Sequence, residues 1–249
     1  MLKKTQTFSL SLGISLIILS GCDLVKSADP SMLLSSGTDM FKAMTLSDAE
    51  VQSIAKQAAE QSDAQSQIAS SDSQYTQRLR SLTNNLSNED GMNLNFKVYL
   101  TDDVNAFAMA DGTVRVYKGL MDMMNDDELR FVIGHEMGHV KLGHSKKAFQ
   151  TAYAASAVKK GVASQSSVAG QLAASPLGDL VEKVVNAQFS QSEEQEADDY
   201  GLKFMQAHHY DAKSAVSALK KLASLGGSHS FLSSHPDPDK RAERIQAQL

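Results

Sequence analysis

The sequence has little of what disulfide-linked, zinc-finger and nucleic-acid-binding proteins require. It contains one cysteine, no tryptophan and four prolines in 249 residues. A single cysteine excludes an intramolecular disulfide and any zinc or iron–sulfur site made of several cysteines. The formal net charge is −5, so the chain lacks the excess of basic residues that is typical of nucleic-acid-binding domains. A metal site in this chain must therefore consist of histidines and carboxylates.

Long apolar runs are scarce as well. Residues 8–19 are mostly apolar, but they are too few to span a bilayer as a helix, which takes about 20 residues. Lys3 and Lys4 precede this stretch, which is the order of features in a secretory signal peptide. We therefore predict a signal peptide over residues 1–21 and no transmembrane helix in the rest of the chain.

The single cysteine follows this stretch directly. Residues 19–22, Leu-Ser-Gly-Cys, resemble a bacterial lipobox, in which small residues precede a cysteine that is lipidated and becomes the new N-terminus. We predict that Cys22 carries the lipid and that residues 22–46, polar and rich in serine, form a tether. The alternative is an ordinary signal-peptide cleavage site followed by a chance cysteine.

Residues 47–249 are predicted to form one mainly helical α+β domain. Residues 94–100 alternate between apolar and polar, as a β-strand does, and Asp111-Gly112 predicts a hairpin between residues 105–109 and 113–117. Residues 148–185 predict a helical hairpin at the surface, with a mobile excursion as the alternative. Apolar spacing predicts a first helix from residue 47, a loop over 61–73, and helices over 74–86, 125–143, 191–208, 212–225 and 238–248.

The chemical signal is the sequence His-Glu-Met-Gly-His at residues 135–139, inside a predicted helix. Residues four apart share a helix face, so the imidazoles of His135 and His139 can bind one ion, and zinc is the metal that this pair favours. Glu136 lies beside the metal and can take a proton from a zinc-bound water. The pattern predicts a zinc hydrolase.

A catalytic zinc usually has a third protein ligand. Metzincins place a histidine six residues after the motif, and that position is Ser145, so this class is excluded. His144, five residues after His139, is predicted to be exposed at the helix end, with a place in a shifted ligand set as the alternative. Glu194 and Asp198 lie four apart on a later predicted helix, so one can bind the metal while the other holds a ligand imidazole. Spacing alone leaves Glu193 and Glu196 as alternatives.

The HExxH motif followed by Glu-x-x-x-Asp at residues 194–198 resembles the gluzincins of the HtpX and CAAX prenyl protease type, and the lipobox is similar to the periplasmic lipoprotein branch. This resemblance implies a zincin-type domain with a small mixed sheet, one zinc ion, Glu194 as the third ligand and Asp198 behind a ligand histidine. Further motifs at residues 105–109, 114–117, 119–124 and 234–236 extend the resemblance over about residues 33–249.

The same resemblance gives His235 a role. A His-Pro element followed by an arginine lies near the metal in this family, which corresponds here to His235, Pro236 and Arg241. His235 is then expected to stabilise the oxyanion or to occupy the open zinc position in a closed state, while Arg241 pairs with an acid such as Asp198. The remaining histidines are predicted to be surface residues: His208, His209 and His229.

The sequence thus predicts a zinc endopeptidase of the bacterial cell envelope, and the family resemblance implies that it acts on misfolded or unassembled envelope proteins. Its expected partners are protein substrates, the membrane through its lipid anchor and envelope protease or assembly machinery, with no nucleic acid. The family resemblance favours the outer membrane, whereas Asp23 after Cys22 favours the inner one. The alternatives are a self-inhibited, chaperone-like lipoprotein with little proteolysis and a zinc hydrolase of a non-peptide bond.

Overall fold

The computed structural model describes residues 46–160, 177–226 and 230–249, which contain ten α-helices and three β-strands. The predicted signal peptide, Cys22, most of the tether and His229 lie outside the described residues. The helices are α1 Asp48–Gln65, α2 Gln74–Thr83, α3 Lys118–Met123, α4 Asp126–Lys141, α5 His144–Lys160, α6 Leu177–Val185, α7 Gln191–Ala207, α8 Ser214–Ala223, α9 Ser230–Ser234 and α10 Pro238–Gln246. The strands are β1 Asn95–Tyr99, β2 Ala106–Ala108 and β3 Thr113–Tyr117.

The three strands form a small mixed sheet in the order β1-β3-β2. β1 runs parallel to β3, and β2 pairs antiparallel with β3 through the predicted Asp111-Gly112 hairpin. Gly112 has a φ of +89°, and a Cβ atom there would lie 2.0 Å from the Asn93 carbonyl oxygen, so only glycine fits this turn. The predicted fold class, a mainly helical α+β domain with a small mixed sheet, is confirmed.

The sheet lies between two apolar cores, because its side chains alternate between two faces. Val98, Val114 and Val116 belong to the larger core, which includes side chains from α2, α4, α7, α8 and α10. On the other face, Tyr99 and Phe107 join a second core with side chains of α1, α5 and α6. The two cores fix the sheet between two helical layers.

Two of the predicted boundaries were wrong, and tertiary contacts explain the first. α1 continues through residues 61–65, where a loop was expected, because Tyr99 Oη contacts Ser62 Oγ and Asp63 Oδ1 at 2.9 and 2.8 Å and holds the last turn. α2 ends at Thr83 rather than at residue 86. The short α3 had no sequence signal.

The segment over residues 148–185 is helical wherever it is described, and residues 161–176 lie outside the described range. Phe149 of α5 and Leu180 of α6 are fully buried in the core that α1 shares. These helices therefore complete the second core, rather than forming a separate surface hairpin. None of the described helices is long and apolar enough to cross a membrane.

The helix α4 carries the His-Glu-Met-Gly-His motif, and its ends follow the sequence signals. Asn125 and Glu128 form a capping box in which each side chain accepts a hydrogen bond from the other's backbone N–H, at 2.9 and 2.8 Å. Gly143, two residues past the helix, has a φ of +79°, which turns the chain directly into α5. The turn brings the start of α5 back towards the motif.

Glycines allow α4 and α7 to pack closely. A Cβ atom on Gly138 would lie 3.0 Å from Tyr200 Cβ and 3.1 Å from Ala197 Cα. Gly201 of α7 approaches the backbone nitrogen of His135, with a would-be Cβ at 3.1 Å. This close approach brings the acidic residues of α7 to the histidines of α4.

We expect Gly138→Ala to destabilise the protein by about 1–3 kcal/mol and to weaken zinc binding, because the added methyl meets backbone atoms of α7. Urea unfolding and a zinc-chelator competition measure the two effects. Gln206→Ala, at an exposed position of α7, is the control and leaves both unchanged. Unaltered stability in Gly138→Ala would show that the two helices separate without cost.

Candidate metal centre

Four side chains from three parts of the chain meet in a buried cluster. α4 supplies His135 and His139, α7 supplies Glu194, and the turn after α9 supplies His235. Each offers a ligand atom, and these four atoms all lie within 4.8 Å of one another. Among the acids left open by the sequence, the structure places Glu194 within this cluster.

Four separations between these atoms are close to the distance between neighbouring ligands of a zinc ion. With bonds near 2.0–2.1 Å, the ligand atoms of such an ion lie about 3.4 Å apart. Here His139 Nε2 is 3.1 Å from His135 Nε2 and 3.3 Å from Glu194 Oε1. His235 Nδ1 is 3.3 Å from His135 Nε2 and 3.0 Å from Glu194 Oε1. The residues present therefore fit zinc in number, chemistry and spacing.

The charges of the cluster also fit a cation. Burial lowers the pKa of His139 well below its ordinary value, so the imidazole is neutral, which is the form that binds metals. Burial opposes ionisation of Glu194, but His235 and Arg241 outweigh it and hold its pKa far below the usual range. The site thus offers the neutral imidazole of His139 and the ionised carboxylate of Glu194 at neutral pH.

Glu136 lies beside the cluster with its carboxylate buried. Its Oε1 atom forms no hydrogen bond within the part of the chain that the structure describes, and His235 Nε2 is 3.5 Å from it. Burial raises the pKa of Glu136 above its ordinary value, partly offset by the nearby His235 and His135. A carboxylate of this kind is suited to accept a proton and to release it again.

Asp198 and Arg241 lie directly behind the cluster and contact its members. Asp198 Oδ1 lies 3.0 Å from His135 Nδ1, which is the ring nitrogen that faces away from the cluster. The Arg241 guanidinium binds Asp198 through two hydrogen bonds of 2.7 and 2.8 Å and also contacts Glu194. Burial opposes the ionisation of Asp198, but Arg241 lowers its pKa to about 2.

The alternative acids have other partners. Glu193 caps α7 through Ser190 and pairs with Lys147, and Glu196 contacts His144. The prediction that His144 is exposed was wrong: the residue is 6% exposed, and its ring contacts His139. Gly143 turns the chain so that the first residue of α5 points back at the motif.

Phe189 is a site residue that the sequence did not indicate. Its ring stacks on the His139 imidazole with centroids 3.8 Å apart, and its backbone N–H donates to the Ser234 carbonyl at 3.1 Å. It therefore links the segment before α7 to the turn that carries His235. Of the histidines predicted at the surface, His209 is exposed and His208 is half-buried against Glu89.

An open groove of 690 Å³ borders this side of the site. Phe189 and His144 form its wall towards His139, and Ala148 and Ala187 contribute apolar surface. The groove leads away from the buried histidines along α5, and its size is sufficient for peptide side chains.

A model of one protein family, Peptidase family M48, matches residues 73–249. The chain belongs to peptidase family M48. It is 41% identical to Metalloprotease YcaL of Escherichia coli (strain K12), over 99% of this chain and 98% of that protein. It is 44% identical to Metalloprotease LoiP of the same organism, over 93% of this chain and 92% of LoiP.

A more distant relative is the Beta-barrel assembly-enhancing protease of Yersinia pestis, 29% identical over 67% of this chain and 37% of that protein. The resemblance noted from the sequence is confirmed in family and branch. M48 enzymes are zinc-dependent peptidases, and the histidine and glutamate cluster is of the kind that holds the ion. The chain is a zinc metalloendopeptidase whose substrates are proteins or peptides.

Proposed function

We propose that this M48 peptidase cleaves misfolded or unassembled proteins of the bacterial cell envelope, with His135, His139 and Glu194 as its zinc ligands. The observation that carries the ligand assignment is the close approach of their atoms, with His135 Nε2 and Glu194 Oε1 at 3.1 and 3.3 Å from His139 Nε2. The envelope role is supported by the lipobox-like residues 19–22 and by the named activity of the Yersinia relative.

When bound, the zinc ion polarises the scissile carbonyl and makes a water molecule more acidic. Glu136 takes the proton from the attacking water and passes it to the leaving amine, for which its raised pKa is suited. Asp198 holds His135 through Nδ1 and so directs Nε2 to the metal. Arg241 offsets part of the negative charge of the two carboxylates that it contacts.

We further propose that the chain is anchored to a membrane through lipid on Cys22, facing the periplasm. The family resemblance seen in the sequence favours the outer membrane, whereas Asp23 after Cys22 favours the inner one. Radiolabelled palmitate incorporation into wild type and Cys22→Ala, followed by membrane fractionation, tests this. Equal membrane association of the two forms would refute the lipid anchor.

The substrate class is tested by offering one outer-membrane protein to the enzyme in unfolded and in folded form. We expect cleavage of the unfolded form and resistance of the folded one, with no cleavage by Glu136→Gln. Equal cleavage of both forms would contradict a role in quality control. Cleavage of neither, together with hydrolysis of a non-peptide ester or amide, would favour the hydrolase alternative.

A second function is favoured by the position of His235. Its Nδ1 atom lies at the fourth corner of the cluster, 3.0 Å from Glu194 Oε1, where a substrate carbonyl or water must bind. The Phe231 ring stacks on it at 4.4 Å and helps to hold it there. The arrangement supports a self-inhibited state, in which the protein binds envelope clients while its site is closed.

We therefore expect His235→Ala to raise the rate of casein cleavage. If the closed state comprises about 90% of the protein, the increase is about tenfold, because activity scales with the competent fraction. His209→Ala, which removes an exposed histidine, is the control. A fall of about a hundredfold in kcat would instead assign His235 to oxyanion stabilisation.

A further inference from the structure

Each of the two motif histidines has a partner at the ring nitrogen that faces away from the cluster. For His135 this partner is the carboxylate of Asp198, at 3.0 Å from Nδ1. For His139 it is another imidazole, since His139 Nδ1 lies 3.1 Å from His144 Nδ1. His144 Nε2 in turn lies 3.1 Å from Glu196 Oε2. The chain of contacts runs from the cluster to an acid at the protein surface.

The direction of these hydrogen bonds follows from the chemistry of imidazole. A neutral ring carries one proton, and the nitrogen that binds a metal must be the one without it. If Nε2 of His139 binds zinc, its proton is on Nδ1 and is donated to His144 Nδ1. The His144 proton is then on Nε2 and is donated to Glu196. One tautomer of each ring satisfies every contact.

Burial makes this partner hard to replace. His139 is fully buried and His144 is 6% exposed, and Phe189 stacks on one face of the His139 ring. Water has little access to His139 Nδ1, so an apolar residue at position 144 would leave a buried N–H without an acceptor. Glu196 is 59% exposed in its side chain, so its own contribution is smaller.

We propose that His144 is a positioning residue, which accepts the Nδ1 proton of His139 and so fixes the tautomer and the ring orientation that direct His139 Nε2 at the zinc ion. This inference rests on the proposed assignment of His139 as a zinc ligand. Groups that hold a metal-bound histidine in this way typically change metal affinity by about 10–100-fold when they are removed.

The first test measures zinc affinity of the full chain in detergent by competition with a chromophoric chelator. We expect His144→Leu to bind zinc about 10–100-fold more weakly. His144→Asn, whose amide oxygen can accept the same proton, is expected to lose less than about tenfold. His208→Gln is the matched control, because His208 also pairs with a glutamate but lies away from the cluster. Thermal unfolding of the zinc-free proteins verifies that each variant is folded.

The second test uses the wild-type protein and does not depend on a variant. Long-range ¹H–¹⁵N NMR spectra of the zinc-loaded protein, labelled at histidine, are expected to show His139 protonated at Nδ1 and His144 protonated at Nε2. A proton on His144 Nδ1 would overturn the proposal, because that ring would then be a donor towards His139.

The outcomes separate this inference from the ligand assignment. Loss of zinc binding in His139→Ala with wild-type affinity in a folded His144→Leu would overturn the role of His144 alone. Wild-type zinc affinity in His139→Ala would overturn both. Equal weakening in His144→Leu and His144→Asn would also contradict the proposal, since an acceptor at position 144 would then have no effect.

Discussion

Glu136→Gln lowers kcat/KM for casein by about 10²–10⁴, which is the usual contribution of a general base, and leaves the zinc content unchanged. The amide keeps the shape of the side chain but cannot accept the proton of the attacking water. Glu136 is next to the four cluster residues but is not among them, so metal binding should survive. Steady-state cleavage and metal analysis of the same preparations measure the two quantities.

The same chemical change at an exposed site is the control for this experiment. Glu60→Gln, on the surface of α1, is expected to match wild type in rate and in zinc content. Rates within tenfold of wild type in zinc-loaded Glu136→Gln would exclude Glu136 as the base. Loss of zinc in that variant would instead show that the carboxylate contributes to metal binding.

Asp63→Ala is expected to lower the free energy of unfolding by about 3 kcal/mol, because it leaves the buried guanidinium of Arg115 without its counter-charge. Arg115 is 2% exposed and donates to both carboxylate oxygens of Asp63, at 2.8 and 2.9 Å. This pair joins α1 to β3, so its loss should loosen the second core. Urea unfolding followed by circular dichroism measures the effect.

Two further variants identify the cause. Asp63→Leu combined with Arg115→Met removes both charges and is expected to recover most of the lost stability. The side chain of Asp102, which pairs with Lys118, is 93% exposed. Asp102→Ala should therefore lower the free energy of unfolding by less than about 1 kcal/mol. If Asp63→Ala lowered the free energy of unfolding no more than Asp102→Ala does, the buried pair would stabilise the protein no more than a surface pair.

The contribution of Asp63 also depends on pH. Burial opposes the ionisation of Asp63, but hydrogen bonds from Arg115, Lys97 and Tyr99 outweigh it and lower the pKa of Asp63 to about 2 in the folded protein. Since the unfolded pKa is higher, the stabilisation is fully present above the unfolded value, near 4, and is lost as the pH falls towards 2. The stability difference between wild type and Asp63→Asn should therefore shrink over that range.

Local patterns in the sequence were sufficient to predict most of the helices and strands and two of the four cluster residues, His135 and His139. Helical spacing and the capping box at Asn125 determine where α4 begins, and the same spacing places His135 and His139 on one face. The Asp111-Gly112 pair determines the hairpin through the φ of glycine. These features depend on residues within a few positions of one another, so the sequence displays them directly.

Helical spacing left the choice among the acids of α7 open, and apart from the family resemblance only the tertiary structure singles out Glu194. Glu193, Glu194 and Glu196 are equally good ligands on spacing alone. The rotation of α7 about its axis decides between them, and that rotation is set by the glycine contacts with α4 at Gly138 and Gly201. Helical periodicity describes which residues share a face, but it cannot indicate which face meets a helix more than 50 residues earlier.

By itself, the sequence determined the zinc chemistry of this protein: one cysteine excluded thiolate sites, and the motif at residues 135–139 supplied the alternative. Only the tertiary structure decided that His144 is buried behind His139, that His235 lies at the fourth corner and that Arg115 pairs with Asp63. The physical reason is the same in each case. These contacts depend on chain turns and on packing between distant elements, whose energies are not expressed in any local pattern of residues.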